Sequence, residues 1–143
     1  MFERYTARAR RVILCAREEA SVLGTGQIEP EALFLGLLRQ DKALVDQFMM
    51  SAQPVEAIRA RVALAAISDQ PSIAAVDLPF SQSAKRVLAC AAEESEHLGH
   101  YHVGTEHLLI GLLREEGTLA ATILNGCGLS VRALRERYTP KNH

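Results

Sequence analysis

The sequence contains no tryptophan and only three tyrosines and four phenylalanines in 143 residues, so aliphatic side chains must fill its interior. Its three cysteines, at 15, 90 and 127, are odd in number and none stands in CxxC spacing, which excludes a disulfide framework or a cysteine zinc cluster. Charge of one sign is also missing. Sixteen Lys plus Arg against seventeen Asp plus Glu leave a net charge of −1, so no basic field draws the chain to nucleic acid or to an anionic membrane. No window approaches eighteen uncharged apolar residues, and the start, Met1 to Thr6, is charged where a signal peptide needs an apolar stretch. No glycine precedes a lysine, which rules out a GxxxxGK[ST] phosphate loop and ATP hydrolysis by that route. What is present is an Ala- and Leu-rich chain with 48% hydrophobic residues, long enough to bury one core without staples. A cytoplasmic protein with no cofactor is expected.

The chain repeats itself. At an offset of 75, residues 5–39 align with 80–114 without a gap, and fifteen of these 35 positions are identical, where chance gives about two or three. Among them are Cys15/Cys90, Glu19/Glu94, Gly24/Gly99, Glu31/Glu106, Gly36/Gly111 and Arg39/Arg114. After a one-residue shift the match resumes, with Arg59 against Arg135. Two copies of one unit are expected: residues 1–67, a Pro- and Asp-containing linker over 68–79, and residues 80–143.

Within each unit the apolar spacing is helical. Ala9, Val12, Ile13, Ala16, Ala20 and Leu23 recur at steps of three and four, as do Ala84, Val87, Leu88, Ala91, Ser95 and Leu98. Thr6 and Ser81 precede these stripes as N-caps, and Gly24 and Gly99 follow as stop signals. A second helix opens at Glu29-Pro30-Glu31 and at Gly104-Thr105-Glu106; a short third carries Leu44, Val45, Phe48 and Met49, or Leu119, Ala120, Ile123 and Leu124. A fourth begins near Pro54 or Ser130, and in the first unit it extends to about Ile67. No alternating run is long enough for a strand. The predicted fold is all-α, two tandem four-helix units packed about a pseudo-twofold axis.

At this level of detail the sequence resembles the amino-terminal Clp repeat domain of Clp AAA+ unfoldases, most closely the ClpC type. The resemblance rests on Phe2-x-Arg4-Tyr5-Thr6-x-x-Ala9-Arg10-Arg11-Val12, on Glu18-Glu19-Ala20 leading to Leu23-Gly24, and above all on Val103 to Glu115, VGTEHLLIGLLRE. It implies a non-catalytic module that binds protein substrates or adaptors and passes them to an unfoldase ring. It further implies pockets for phosphoarginine, in which Glu31 and Glu106 read the guanidinium while the first-helix starts at Thr6 and Ser81, and Thr105, serve the phosphate. That chemistry is sound, because a helix start favours an anion and a carboxylate pairs a planar cation in bidentate fashion. The first unit departs from the pattern. It has Glu29-Pro30-Glu31-Ala32 where the second has Gly104-Thr105-Glu106-His107, so the second pocket is expected to be the better preserved. The AAA+ modules are absent, so the chain is expected to be either a freestanding homologue acting in trans on a Clp system or a fragment of a longer unfoldase; its Met start and polar tail from Thr139 to His143 favour the first reading.

Simpler readings exist for each feature. A first-turn glutamate gains about 0.3–1 kcal/mol from the helix dipole with no ligand at all. Cys15 and Cys90, on a duplicated apolar helix, are packing residues, whereas Cys127 between two glycines is expected to be the more exposed thiol. His97, His100, His102 and His107 fall within eleven positions, but a loop would have to fold them together and the first unit has none of them. They are therefore read as helix-end residues rather than as a metal site. Gly36 and Gly111 each cost a helix about 1 kcal/mol, which close helix packing would offset. Two other functions remain open: an accessory factor that docks on the Clp unfoldase or protease and modulates its assembly, and a small-molecule or metal sensor that reuses the fold.

Overall fold

In the computed structural model, residues 2–48, 54–66 and 77–139 are described. They form α1 (Ala7–Leu23), α2 (Pro30–Phe48), α3 (Val55–Ala65), α4 (Gln82–His97), α5 (Thr105–Arg114), α6 (Leu119–Gly126) and α7 (Val131–Tyr138). The predicted Met49 and Ile67 positions, residues 68–76 of the linker expected over 68–79, and the tail after Thr139 lie outside the described residues.

The first helix of each unit is bounded as its sequence signals predict. The Thr6 hydroxyl accepts the Ala9 N–H at 3.1 Å and the Ser81 hydroxyl accepts that of Ala84 at 3.0 Å, which satisfies one of the unpaired donors of each helix start. Gly24 ends α1 with φ 70° and Gly99 follows α4 with φ 74°, the left-handed conformation that only glycine adopts without strain. Both predicted stripes are buried, with Leu23 at the edge of the core.

The expected second and third helices of the first unit are two arms of one element. α2 kinks at Asp41, where φ −149° and ψ 57° leave helical space, and the Asp41 carboxylate accepts the Leu44 N–H at 3.3 Å to restart the helix. The second unit instead has Gly117, with φ 87°, and Thr118 in place of Lys42 and Ala43, and the Thr118 hydroxyl accepts the Ala121 N–H at 3.1 Å. α5 and α6 are separate helices for that reason. Cys127 differs from expectation: it is fully buried, because the turn between α6 and α7 folds its side chain into the core. Cys15 is buried and Cys90 half-buried, and burial pushes the Cys90 thiol above its ordinary pKa.

Inside each unit the first two helices pack backbone to backbone. A Cβ added at Gly36 would stand 2.6 Å from Val12 O, and one at Gly111 2.5 Å from Val87 O. Any side chain at either position forces the helix pair apart. Two buried carboxylates then tie the last helix of each unit to this pair. Glu19 accepts from Arg59 at 2.5 and 2.7 Å, with Arg39 at 3.5 Å. Glu94 accepts from both Nε and Nη2 of Arg135 and from Arg114 at 3.1 Å. Hydrogen bonding from Arg135 holds the Glu94 carboxyl below its usual range, and the bond to Glu19 raises Arg59 in turn. The repeated Glu, Arg, Arg triple is thus a repeated structural clamp.

The units join along α2 and α5, and a single hydrophobic cluster runs through both. Two single-residue parallel bridges, Tyr5 to Val103 and Ile28 to Phe80, fix their relation. Thr6 N–H donates to Val103 O at 3.0 Å and Val103 N–H to Arg4 O at 2.9 Å; Ser81 N–H donates to Ile28 O at 3.1 Å and Ile28 N–H to Pro79 O at 2.8 Å. Each bond maps onto its counterpart when 75 is added to or subtracted from its residue numbers, which is what pseudo-twofold symmetry requires. Three of the seven Phe and Tyr side chains gather here, with ring centroids 4.9 Å apart for Phe2 and Tyr5 and 6.1 Å for Phe2 and Phe80.

Candidate functional site

The bridges cross the units. The start of α1 lies against the segment leading into α5, and the start of α4 against the segment leading into α2. Each first-turn glutamate, Glu31 on α2 and Glu106 on α5, therefore neighbours the first-helix start of the other unit.

At Glu31 this crossing encloses a cavity of about 510 Å³. Glu29 to Ala32 form one wall and Val62, Ala65 and Ala66 of the α3 end a second; Leu23, Thr25, Ser83 of α4 and Gly117 to Leu119 also line it. The lining combines two carboxylates, the hydroxyls of Thr25, Ser83 and Thr118, and an apolar wall. Glu31 Oε2 accepts the Ala120 N–H at 3.1 Å, so the carboxylate sits at the positive end of α6. Ser83 donates to Glu115 at 2.8 Å, and Arg86 bonds the same oxygen at 2.6 Å.

At Glu106 the arrangement differs. Its carboxylate folds back over Gly104, where a Cβ would come within 2.0 Å of Oε1; only glycine leaves that space free. His102 Nε2 stands 3.8 Å and His107 Nδ1 3.9 Å from the carboxylate. His107, fully buried, accepts the Gly104 N–H on Nδ1 at 2.8 Å, and its Nε2 lies 2.8 Å from His100 Nδ1. Burial pushes the His107 pKa down to about 4, against a partly opposing pull from Glu106, so the ring is neutral at pH 7 with its proton on Nε2. The first unit has Glu29 and Ala32 at the positions of Gly104 and His107, so neither the fold-back nor the histidine cap can form there.

The other three candidate residues are engaged within the fold. Thr6 and Ser81 spend their hydroxyls on capping, and Ser81 is buried; Thr105, also buried, donates to Asp41 at 2.8 Å, with Arg8 3.4 Å from the same oxygen. Sequence reasoning missed Ser83, Thr118 and Asp41, since nothing local marks which helix start meets which glutamate. It also separated histidines that the fold unites. The loop after α4 does fold His100 and His102 onto Glu106 and His107, with one ligand atom of each within 4.8 Å of the others, while His97 does not join them.

An all-helical domain of two pseudo-symmetric units, with a first-turn glutamate at the equivalent helix start of each, defines a paired-repeat domain. The chain belongs to the Clp repeat (R) N-terminal domain family, which it matches over residues 4–127. It is 40% identical over 136 residues to an ATP-dependent Clp protease ATP-binding subunit ClpA homolog of Porphyra purpurea, and 39% identical over the same length to the chloroplastic chaperone protein ClpC1 of Oryza sativa subsp. japonica. These matches cover 94% of the chain but 16% and 15% of those proteins. Among solved structures it is similar to the N-terminal domain of the chaperone ClpD from Arabidopsis thaliana, with a TM-score of 0.75, 30% identity, and 95% and 92% of the two chains covered. The Hsp104 N-terminal domain from Candida albicans shares the fold at TM-score 0.73 and 22% identity, covering 95% and 89%. Among the described residues no helix is long and apolar enough to cross a membrane.

Proposed function

We propose that this domain is a non-catalytic recognition module that binds protein substrates or adaptors in the cytoplasm and presents them to a Clp-type AAA+ unfoldase or protease. In this reading phosphoarginine-type side chains are its ligands, taken at the two crossed helix starts around Glu31 and Glu106. The observation that carries it is the cavity of about 510 Å³ beside Glu31, where a carboxylate suited to a guanidinium lies close to the starts of α4 and α6. In this reading Glu106, three residues after the Val103 bridge to Tyr5, is the second carboxylate. Family membership supports the module reading, since the relatives include Clp chaperones and Clp protease subunits.

A calorimetric titration with a phosphoarginine peptide and its unmodified arginine twin tests this, using wild type, Glu31→Gln and Glu106→Ala. Saturable binding of the phosphorylated peptide, weakened by each substitution, is the expected result. Equal binding of both peptides by all three proteins removes phosphoarginine and leaves the module reading intact. A pull-down dominated by Clp subunits rather than assorted substrates would favour the accessory role.

A further inference from the structure

We propose that His100, His102, Glu106 and His107 form a site for one divalent transition-metal ion of the zinc, nickel or copper class. Their four ligand atoms lie within 4.8 Å of one another. Three imidazole nitrogens and one carboxylate oxygen suit such ions and do not suit calcium or magnesium, which prefer oxygen ligands throughout.

The scaffold holds the ligands firmly. The fully buried Ser95 shares its hydroxyl between His100 O at 3.0 Å and His102 O at 2.5 Å, and His100 N–H donates to Ser95 O at 2.8 Å. Arg4 pins the same loop from the other unit through Tyr101 O at 2.6 Å. Exposure grades inward, from 48% for the His102 side chain through 20% for Glu106 to 0% for His107, which gives an ion a route from solvent to an interior ligand.

The geometry also says what loading must change. A backbone N–H can only donate, so Gly104 leaves the His107 proton on Nε2, inside the 2.8 Å link to His100. An ion entering there takes the place of that proton. Two nitrogens bound tetrahedrally at 2.0–2.1 Å stand about 3.3 Å apart, so the pair opens by roughly half an ångström. The proton moves from Nε2 to Nδ1 of His107, none is released, and the Gly104 N–H loses its acceptor. The first unit has Thr25, Gln27, Glu31 and Ala32 at the corresponding positions, so only the second unit can hold the ion.

The test is a zinc titration of the full, tag-free chain against a chromophoric chelator, with amide exchange followed at Gly104. One ion per chain is expected, with faster exchange at Gly104 on loading. His102→Gln, which installs the first unit's residue at an exposed position, should weaken binding at least about tenfold, since even residues supporting a ligand from behind contribute that much. Glu106→Gln should do the same, with far-UV circular dichroism unchanged in both. Absence of saturable uptake overturns the site. Equal affinity in wild type and both variants overturns it too, by assigning the metal to other groups such as His97.

Discussion

Glu31 and Glu106 occupy the same place in a duplicated helix, yet one reaches across to the α6 start and the other folds back onto its own. The difference comes from their neighbours. Gly104 leaves room for a carboxylate over the backbone, whereas Glu29 brings a second side chain to that position; His107 caps the α5 start, whereas Ala32 offers no such group. A duplication keeps its scaffold through the residues that face inward along the helices and diverges at the helix starts, where a buried histidine stands in one unit and a buried alanine in the other.

The scaffold half of this comparison is broken most severely at the two glycines. Gly36→Ala and Gly111→Ala each drive a methyl into a carbonyl of the neighbouring helix, and each should cost about 3 kcal/mol or more, read as equal losses in urea midpoint. A loss at one position only would show that the units tolerate separation differently.

The clamps come next. Glu94→Gln should cost about 2 kcal/mol, because it strands the donors of Arg135 and Arg114; the part-exposed arginines moderate the loss. The Glu94 carboxyl is depressed below 4.5 in the fold, so its contribution is complete above that value and fades as pH falls below it. The acid limb of a melting-temperature profile should therefore flatten in the variant.

Glu31→Ala should then exceed Glu106→Ala in destabilisation by about 0.5–1 kcal/mol, because only the former removes a bond to another helix, that to the Ala120 N–H. Equal thermal shifts would contradict the asymmetry. The smallest effect sharpens the comparison by rebuilding it: Glu29→Gly with Ala32→His copies the second unit's cap into the first, and the histidine should restore about half a kcal/mol or more of what the glycine costs. If the pair is worse than Glu29→Gly alone, the cap depends on His100 as well.

Much of this molecule is legible in one dimension. The stripes from Ala9 to Leu23 and from Ala84 to Leu98 declare their helices by spacing, and Thr6, Ser81, Gly24 and Gly99 declare the ends, because caps and left-handed turns are settled within four or five residues. Gly36 and Gly111 announce close packing by their repetition. The kink at Asp41 was not legible: nothing in Gln40 to Ala43 distinguishes a bent helix from two helices until α5 packs against it and Thr105 engages the Asp41 carboxylate. The glycines flanking Cys127 suggest exposure, whereas its burial depends on how the turn before α7 folds over the core.

Two copies of a helical unit, their buried faces and the two glutamates at equivalent helix starts are all written in the order of residues. All of these follow from periodicity and from interactions a few residues long. Long-range packing sets the rest: Glu31 reaches the α6 start of the other unit, Glu106 stays on its own helix start, and His100, His102, Glu106 and His107 converge. An offset of 75 is the same whether the copies pair with themselves or with each other, and the choice is made where Thr6 bonds Val103 and Ser81 bonds Ile28, contacts between residues far apart in the chain.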